Sequence, residues 1–206
     1  MLRQPRPLVP FTFPLAGQSY AGRILNTRKP NLIALWGLGE TTGSNAANAE
    51  GTAARDGTYT NGPTLNAAAF TDGTPAPSFD GSNDLVNVYS SSLNSAFNPS
   101  ELTLFIWGKV ASSGVWSDAT FRYLTHLQAD ASNRVYLLKS TTGNAIQGRY
   151  LAGGVSKSIV DASLGGTTAF FSAAITVSKA ADEMKLYLNG VQVGSTQTGL
   201  GTWTGA

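Results

Sequence analysis

Residues 185–193 read KLYLNGVQV, an alternation of polar and apolar residues on both sides of Asn189-Gly190. Asn and Gly both tolerate positive φ, so a two-residue turn of this kind folds a strand back onto itself. A chain with this pattern is committed here to antiparallel β-structure, and related turn signals recur along it. They are Asp56-Gly57, Asn61-Gly62, Asp72-Gly73, Asp80-Gly81 and Gly165-Gly166. Apolar stretches lie between them at 32–38, 85–89, 102–110, 121–127, 135–138, 169–177 and 184–193. Short strands at roughly ten-residue spacing predict an all-β fold, a sandwich or a barrel. The alanine-rich stretch 45–54 carries no large apolar residue to bury and is interrupted by Asn45, Asn48 and Gly51, so it reads as a loop.

Composition narrows the chemistry. With 206 residues the chain can bury a core without staples. It has no cysteine, which removes disulfides, thiolate zinc sites and cysteine nucleophiles. Its one histidine, His126, cannot build a multi-histidine metal site, and its sequence TH126L reads as strand. No G-x-S-x-G elbow accompanies it, so a Ser-His-Asp triad is disfavoured. Charged residues make up 13% of the chain, about half the usual share.

The charge is unevenly placed. Residues 1–39 hold Arg3, Arg6, Arg23, Arg28 and Lys29 and no acid, so the remainder carries nine basic against twelve acidic residues, a net charge of −3. Prolines separate these cations, so they form no basic run, and no base-reading motif is present. Pro5, Pro7, Pro10, Pro14 and Pro30 predict an extended, polyproline-like arm over 1–30, followed by one domain of short strands and turns over 31–206. Leu8, Val9, Phe11, Phe13 and Leu15 are too apolar for a solvated linker, so the arm is expected to pack on its own body or on a partner, and they are its candidate assembly residues. The same prolines break any apolar stretch long enough for a signal peptide, and no stretch approaches a membrane span. The expectation is a protein made in the host cytoplasm with no membrane partner.

Three segments, in order, carry a family resemblance. The first is LIALWGLGETTG at 32–43, leading through a Gly/Asn/Ala-rich loop to Asp56-Gly57. The second is FDGSNDLV at 79–86, leading to LTLFIWGKV at 102–110, and the third is MKLYLNGV at 184–191. Together they resemble the laminin-G-like, or concanavalin-A-like, jelly-roll superfamily over about residues 32–195. The resemblance implies two stacked antiparallel sheets. It also implies a closing segment after the last hairpin, which GTWTGA at 201–206 does not supply. A fragment, the arm or a neighbouring chain could each account for the missing strand. In 102–110 both faces are largely apolar, as for a central strand covered on both sides.

Some members of that superfamily hydrolyse glycosides, which needs two carboxylates across a groove. Glu40, Glu50, Glu101 and Glu183 have no acid at i+2 or i+4, and the superfamily's E-x-D-x-x-E signature is absent, so the chain is read as no enzyme. Many laminin-G-like domains bind Ca²⁺ through loop oxygens, and Asp80, Asn83 and Asp84 put three oxygen side chains within five residues. They are the candidate metal ligands, with turn hydrogen bonding as the competing role; no other cofactor is expected. Glu40 and Asp56 could add ligands from the opening loop. Trp36 and Trp107 sit in strand patterns and are read as core, whereas Trp116 and Trp203 read as loop-borne candidates for stacking on a sugar.

These readings converge on a non-catalytic virion structural protein of the capsid-decoration or fibre type. It would sit on the virion surface, with other virion proteins, copies of itself and environmental glycans as partners. The alternative is an extracellular carbohydrate-binding module, calcium-dependent or not, of a secreted bacterial protein.

Overall fold

The computed structural model describes residues 19–205. The arm residues Leu8, Val9, Phe11, Phe13 and Leu15 lie outside the described residues. The chain divides into two compact units, Met1–Ala96 and Phe97–Ala206. This break at 96/97 is absent from the expected division into an arm and one sandwich starting at 31.

In the first unit, the described end of the expected extended arm is a helix. α1 spans Tyr20–Arg28. Ser19 caps it, its Oγ accepting the Gly22 amide at 3.2 Å and its carbonyl accepting the Arg23 amide at 3.1 Å. Pro30 follows within two residues of its end, where a helix stops without penalty. The proline at 30, read as a sign of extended chain, therefore marks a helix stop. Three strands, β1 (Asn45–Ala46), β2 (Gly57–Thr60) and β5 (Leu85–Asn87), form a small sheet in the order β1-β2-β5. Between them β3 (Thr64–Ala69) and β4 (Pro75–Ser78) pair as a hairpin closed around Asp72-Gly73. α2 (Ser91–Ala96) ends the unit. The stretch 32–38, read as strand, contributes only an isolated bridge from Trp36 to Asn48.

The second unit is the expected antiparallel two-sheet sandwich. Its strands are β6 (Glu101–Gly108), β7 (Arg122–Asp130), β8 (Asn133–Lys139), β9 (Ile146–Ala152), β10 (Val155–Asp161), β11 (Phe171–Ser178), β12 (Glu183–Leu188) and β13 (Val191–Gln197). One sheet has the order β13-β12-β11-β6 and the other β10-β9-β8-β7, with all pairs antiparallel. The two-residue period of a strand decides what is buried. Ala173, Ile175 and Val177 of β11 and Met184, Leu186 and Leu188 of β12 all face the core. They meet Val135, Leu137, Ile146, Tyr150 and Ile159 of the opposite sheet. The Asn189-Gly190 hairpin forms as read, with φ of 50° and 79° and Leu188 opposite Val191.

β6 corrects one expectation. Among the described residues it is an edge strand, not a central one covered on both faces. Leu102, Leu104 and Ile106 pack on the core, while Phe105 on the other face is 38% exposed. α3 (Gly114–Ser117) follows it in the loop toward β7.

Residues 198–205 cover one end of this core. Asp182 holds the segment by accepting the Gly199 and Leu200 amides, each at 2.7 Å, while Lys179 Nζ donates to the Leu200 carbonyl. Leu200 is thereby buried in the core. At Gly201 the backbone passes so close to β9 that a Cβ would lie 1.9 Å from the Ala152 carbonyl oxygen. The closing role sought in the arm or in a neighbouring chain is thus partly filled by this segment itself.

Candidate functional site

The FDG turn is built on hydrogen bonds. Asp80 Oδ1 accepts the Ser82 amide at 2.7 Å and the Asn83 amide at 3.4 Å, and the Asp80 amide donates to Asp84 Oδ2 at 3.0 Å. The Ser82 amide, chiefly, holds the Asp80 carboxyl below its usual range. Among the described residues no group of three His, Cys, Asp or Glu side chains is placed to hold a metal ion. Asp80 makes the turn hydrogen bonds expected as its competing role, Asp84 adds one to the Asp80 amide, and Asn83 takes part through its backbone, its carbonyl accepting from Asn61 Nδ2 at 2.7 Å.

The opening loop, where Glu40 and Asp56 were candidates to extend that ligand set, is a polar brace around Asn48. Asn48 Oδ1 accepts the Leu35 amide at 2.9 Å, and its backbone amide donates to Asp56 Oδ1 at 2.9 Å. Glu40 accepts the Ala47 amide and the Tyr59 hydroxyl, both at 2.8 Å. Burial and that carboxylate push the Tyr59 hydroxyl well above the usual tyrosine range. Trp36 Nε1 donates to the Arg55 carbonyl at 2.9 Å, and Arg55 Nη1 donates to the Ile33 carbonyl at 2.6 Å. These bonds fix the loop's path.

Trp116 corrects the sugar-stacking expectation. α3 turns its ring inward, where it is 1% exposed, 5.9 Å from Phe171, with Nε1 donating to the Thr167 carbonyl at 2.7 Å. A ring enclosed on all sides cannot stack on a sugar without opening the core. Next to it, Lys139, also 1% exposed, reaches Asp118 Oδ1 at 2.6 Å and the Thr120 carbonyl at 3.2 Å. Arg122 joins the same carboxylate, and these partners, Lys139 first, lower the Asp118 carboxyl to about 2. Trp203 is half-buried, stacked on Tyr150 at 6.0 Å and edge-on to Phe97 at 5.7 Å.

The acidic side chains share one role. All twelve lie within the described residues, and each accepts a hydrogen bond or ion pair from its own surroundings. Five of them form the same small turn. Asp72, Asp80, Asp118, Asp130 and Asp161 each accept the amide two residues on, from Thr74, Ser82, Thr120, Ser132 and Ser163 at 2.7–3.0 Å. The tripeptides behind these turns are Asp-Gly-Ser/Thr or Asp-Ala-Ser/Thr, a pattern visible in the sequence once it is known to matter.

A different chemistry gathers on the outer face of the β7–β10 sheet. Tyr123 and His126 are three residues apart and would point to opposite faces of a regular strand. A register shift between Tyr123 and Thr125 inserts an extra residue, so Tyr123 pairs with Leu138 and His126 with Tyr136. Both rings then stand on one face, 4.6 Å apart and 9° from parallel, with Tyr136 edge-on beneath them. Arg149, opposite Tyr136 in the register, donates from Nη1 to the Tyr136 hydroxyl at 3.3 Å and from Nε to Ser156 Oγ at 2.8 Å. Burial, and secondarily the charge of Arg134, lower the His126 pKa. Alternation alone cannot reveal this grouping, because only the bulge creates it.

No protein-family model, no curated protein and no solved structure matches this chain.

Proposed function

We propose that the protein is a non-catalytic structural component of a virion, of the capsid-decoration or fibre type, in which the 97–206 sandwich is a rigid module. The observation that carries the non-catalytic part is the engagement of all twelve acidic side chains in bracing turns, loops and ion pairs. General acid–base work needs a carboxyl group poised over a groove with its ionisation tuned toward the working pH. Here Asp80, Asp118, Asp130 and Asp182 are all displaced the other way, below the usual carboxylate range, by the amides and cations they hold. Three copies of one short aspartate turn, at Asp118, Asp130 and Asp161, and a close-packed core suit a module whose task is to keep its shape. The family resemblance and the apolar, proline-rich segment 1–18 supply the remainder of the reading, an adhesion-type sandwich anchored to neighbours.

The test is density-gradient fractionation of the native source, following this chain by peptide mass spectrometry. Co-sedimentation with particles at a fixed ratio to the major shell protein supports the reading. Recovery only as free protein overturns it.

A further inference from the structure

We propose that the outer face of the β7–β10 sheet binds an acidic oligosaccharide, with Tyr123 and His126 as its stacking surface and Arg134 and Arg149 receiving its carboxylate or sulfate groups. Tyr123 is 55% exposed and its ring is backed by His126, so it offers a flat, supported surface to the apolar side of a sugar. The cross-strand row His126, Tyr136, Arg149, Ser158 runs over all four strands. Its length, three strand spacings or about 14 Å, suits a short oligosaccharide lying across the sheet.

The charges on this face have one sign. By register, β7 contributes His126, β8 Arg134, β9 Arg149, and β10 the hydroxyls of Ser156 and Ser158. The nearest carboxylate by sequence, Asp130, is turned onto the Asn133 amide group and the Ser132 backbone amide. Arg134 is half-buried, with its Nε enclosed, so its terminal amino groups are the part left to meet an oxyanion through charge-assisted bonds. Arg149, held by Tyr136 and Ser156, presents its guanidinium in a fixed plane of the kind that receives planar carboxylates or sulfates. Single-stranded nucleic acid also uses aromatics and cations, but it needs a track of both along its length. One stacked pair and two arginines fit a shorter, compact ligand.

Because His126 is the chain's one histidine, its ring protons form a unique NMR reporter at the centre of the site. The full chain is titrated with a heparin-derived tetrasaccharide, an oligogalacturonate and neutral cellotetraose, which separate sulfate, carboxylate and sugar ring alone. Acidic probes are expected to move the His126 resonance and raise its pKa by on the order of one unit, as an anion beside an imidazole does. Cellotetraose is expected to do neither. Arg134→Gln removes no internal hydrogen bond of Nε and should weaken binding roughly tenfold, the worth of one charge-assisted bond. Should that variant melt early, Tyr123→Leu at the exposed ring gives the same readout, and Lys185→Gln on the other sheet is the unaffected control. Equal binding of cellotetraose, an unmoved His126 signal, or tighter binding of a single-stranded oligonucleotide overturns the proposal. Particle association and sugar binding are measured separately, so the structural role and this site fail independently.

Discussion

Asn133 is the side chain on which one end of the sandwich depends. It is 1% exposed, and its amide group joins three separate stretches of chain. Oδ1 accepts the Gly153 amide at 2.9 Å from the β9–β10 turn and the Thr204 amide at 3.0 Å from the C-terminal segment. Nδ2 donates to both oxygens of Asp130, at 3.0 and 2.9 Å, and to Thr204 Oγ1 at 3.2 Å. Asn133→Ala leaves two backbone amides without their acceptor. At about 1 kcal/mol net for each, and somewhat more where the group stays dry, the loss is roughly 2–3 kcal/mol. For a unit of this size that lowers the melting temperature by on the order of 10 °C, readable by scanning calorimetry.

Asn133→Asp separates this account from a simple packing defect. The shape is kept, and so is the acceptor, but an oxygen now faces the Asp130 carboxylate where Nδ2 stood. Two carboxylates at that distance cannot both ionise freely, so one of them takes up a proton in the folded state at a pH where the unfolded chain has released it. The folded state then binds more protons, and stability must rise as pH falls from 8 toward 5. In the native protein Asn133 holds the Asp130 carboxyl below its usual range, so no such rise occurs. A melting temperature for Asn133→Ala within 2 °C of the parent would refute the reasoning. So would an Asn133→Asp deficit of equal size at pH 5 and pH 8.

Trp116→Ala empties a fully enclosed site and should cost about 3–5 kcal/mol in denaturant unfolding, whereas Trp203→Ala, at a half-buried ring, should cost clearly less. Equal costs would contradict the inward placement of Trp116. The Asp118 carboxyl, near 2 when folded and near 3.9 when unfolded, contributes stability that is present above about pH 4 and lost as pH falls toward 2. An acid titration of the melting temperature should show that loss, and Asp118→Asn should flatten it while lowering stability at pH 7. Gly201→Ala sets a Cβ against the Ala152 carbonyl and should free residues 198–205, seen as faster amide exchange at Leu200 with β11 unchanged. Deleting residues 1–18 should abolish particle association and leave sugar binding intact. Loss of both, or of neither, would remove the arm from the account.

The parts of the fold that the sequence revealed are those where one local signal decides. The Asn189-Gly190 hairpin needs only its two turn residues and the alternation around them, and the edges of β6, β7, β8 and β11 follow apolar runs. β9 and β10 escaped because Gln147, Gly148, Arg149, Lys157 and serines break their apolar residues into short pieces, so no run stands out. Their signal is the Gly153-Gly154 turn, which takes φ of 54° and 82°. α1 was hidden by the prolines around it, although Ser19 before it and Pro30 after it are ordinary start and stop signals. Trp116 sits among Ser, Gly and Asp residues that describe a loop, and composition does not say which way a loop residue points. The β7–β10 face was beyond sequence reasoning for a sharper reason. One inserted residue near Leu124 changes which side chains are neighbours, and nothing in the residue types announces it.

The most direct test of the central claim is to image particles from the native source and fit the Phe97–Ala206 sandwich into their surface density. The account predicts density for two four-stranded sheets, repeated at symmetry-related positions on the particle exterior. Particles whose exterior density is fully explained by other chains, with this chain confined to the soluble fraction, would contradict it.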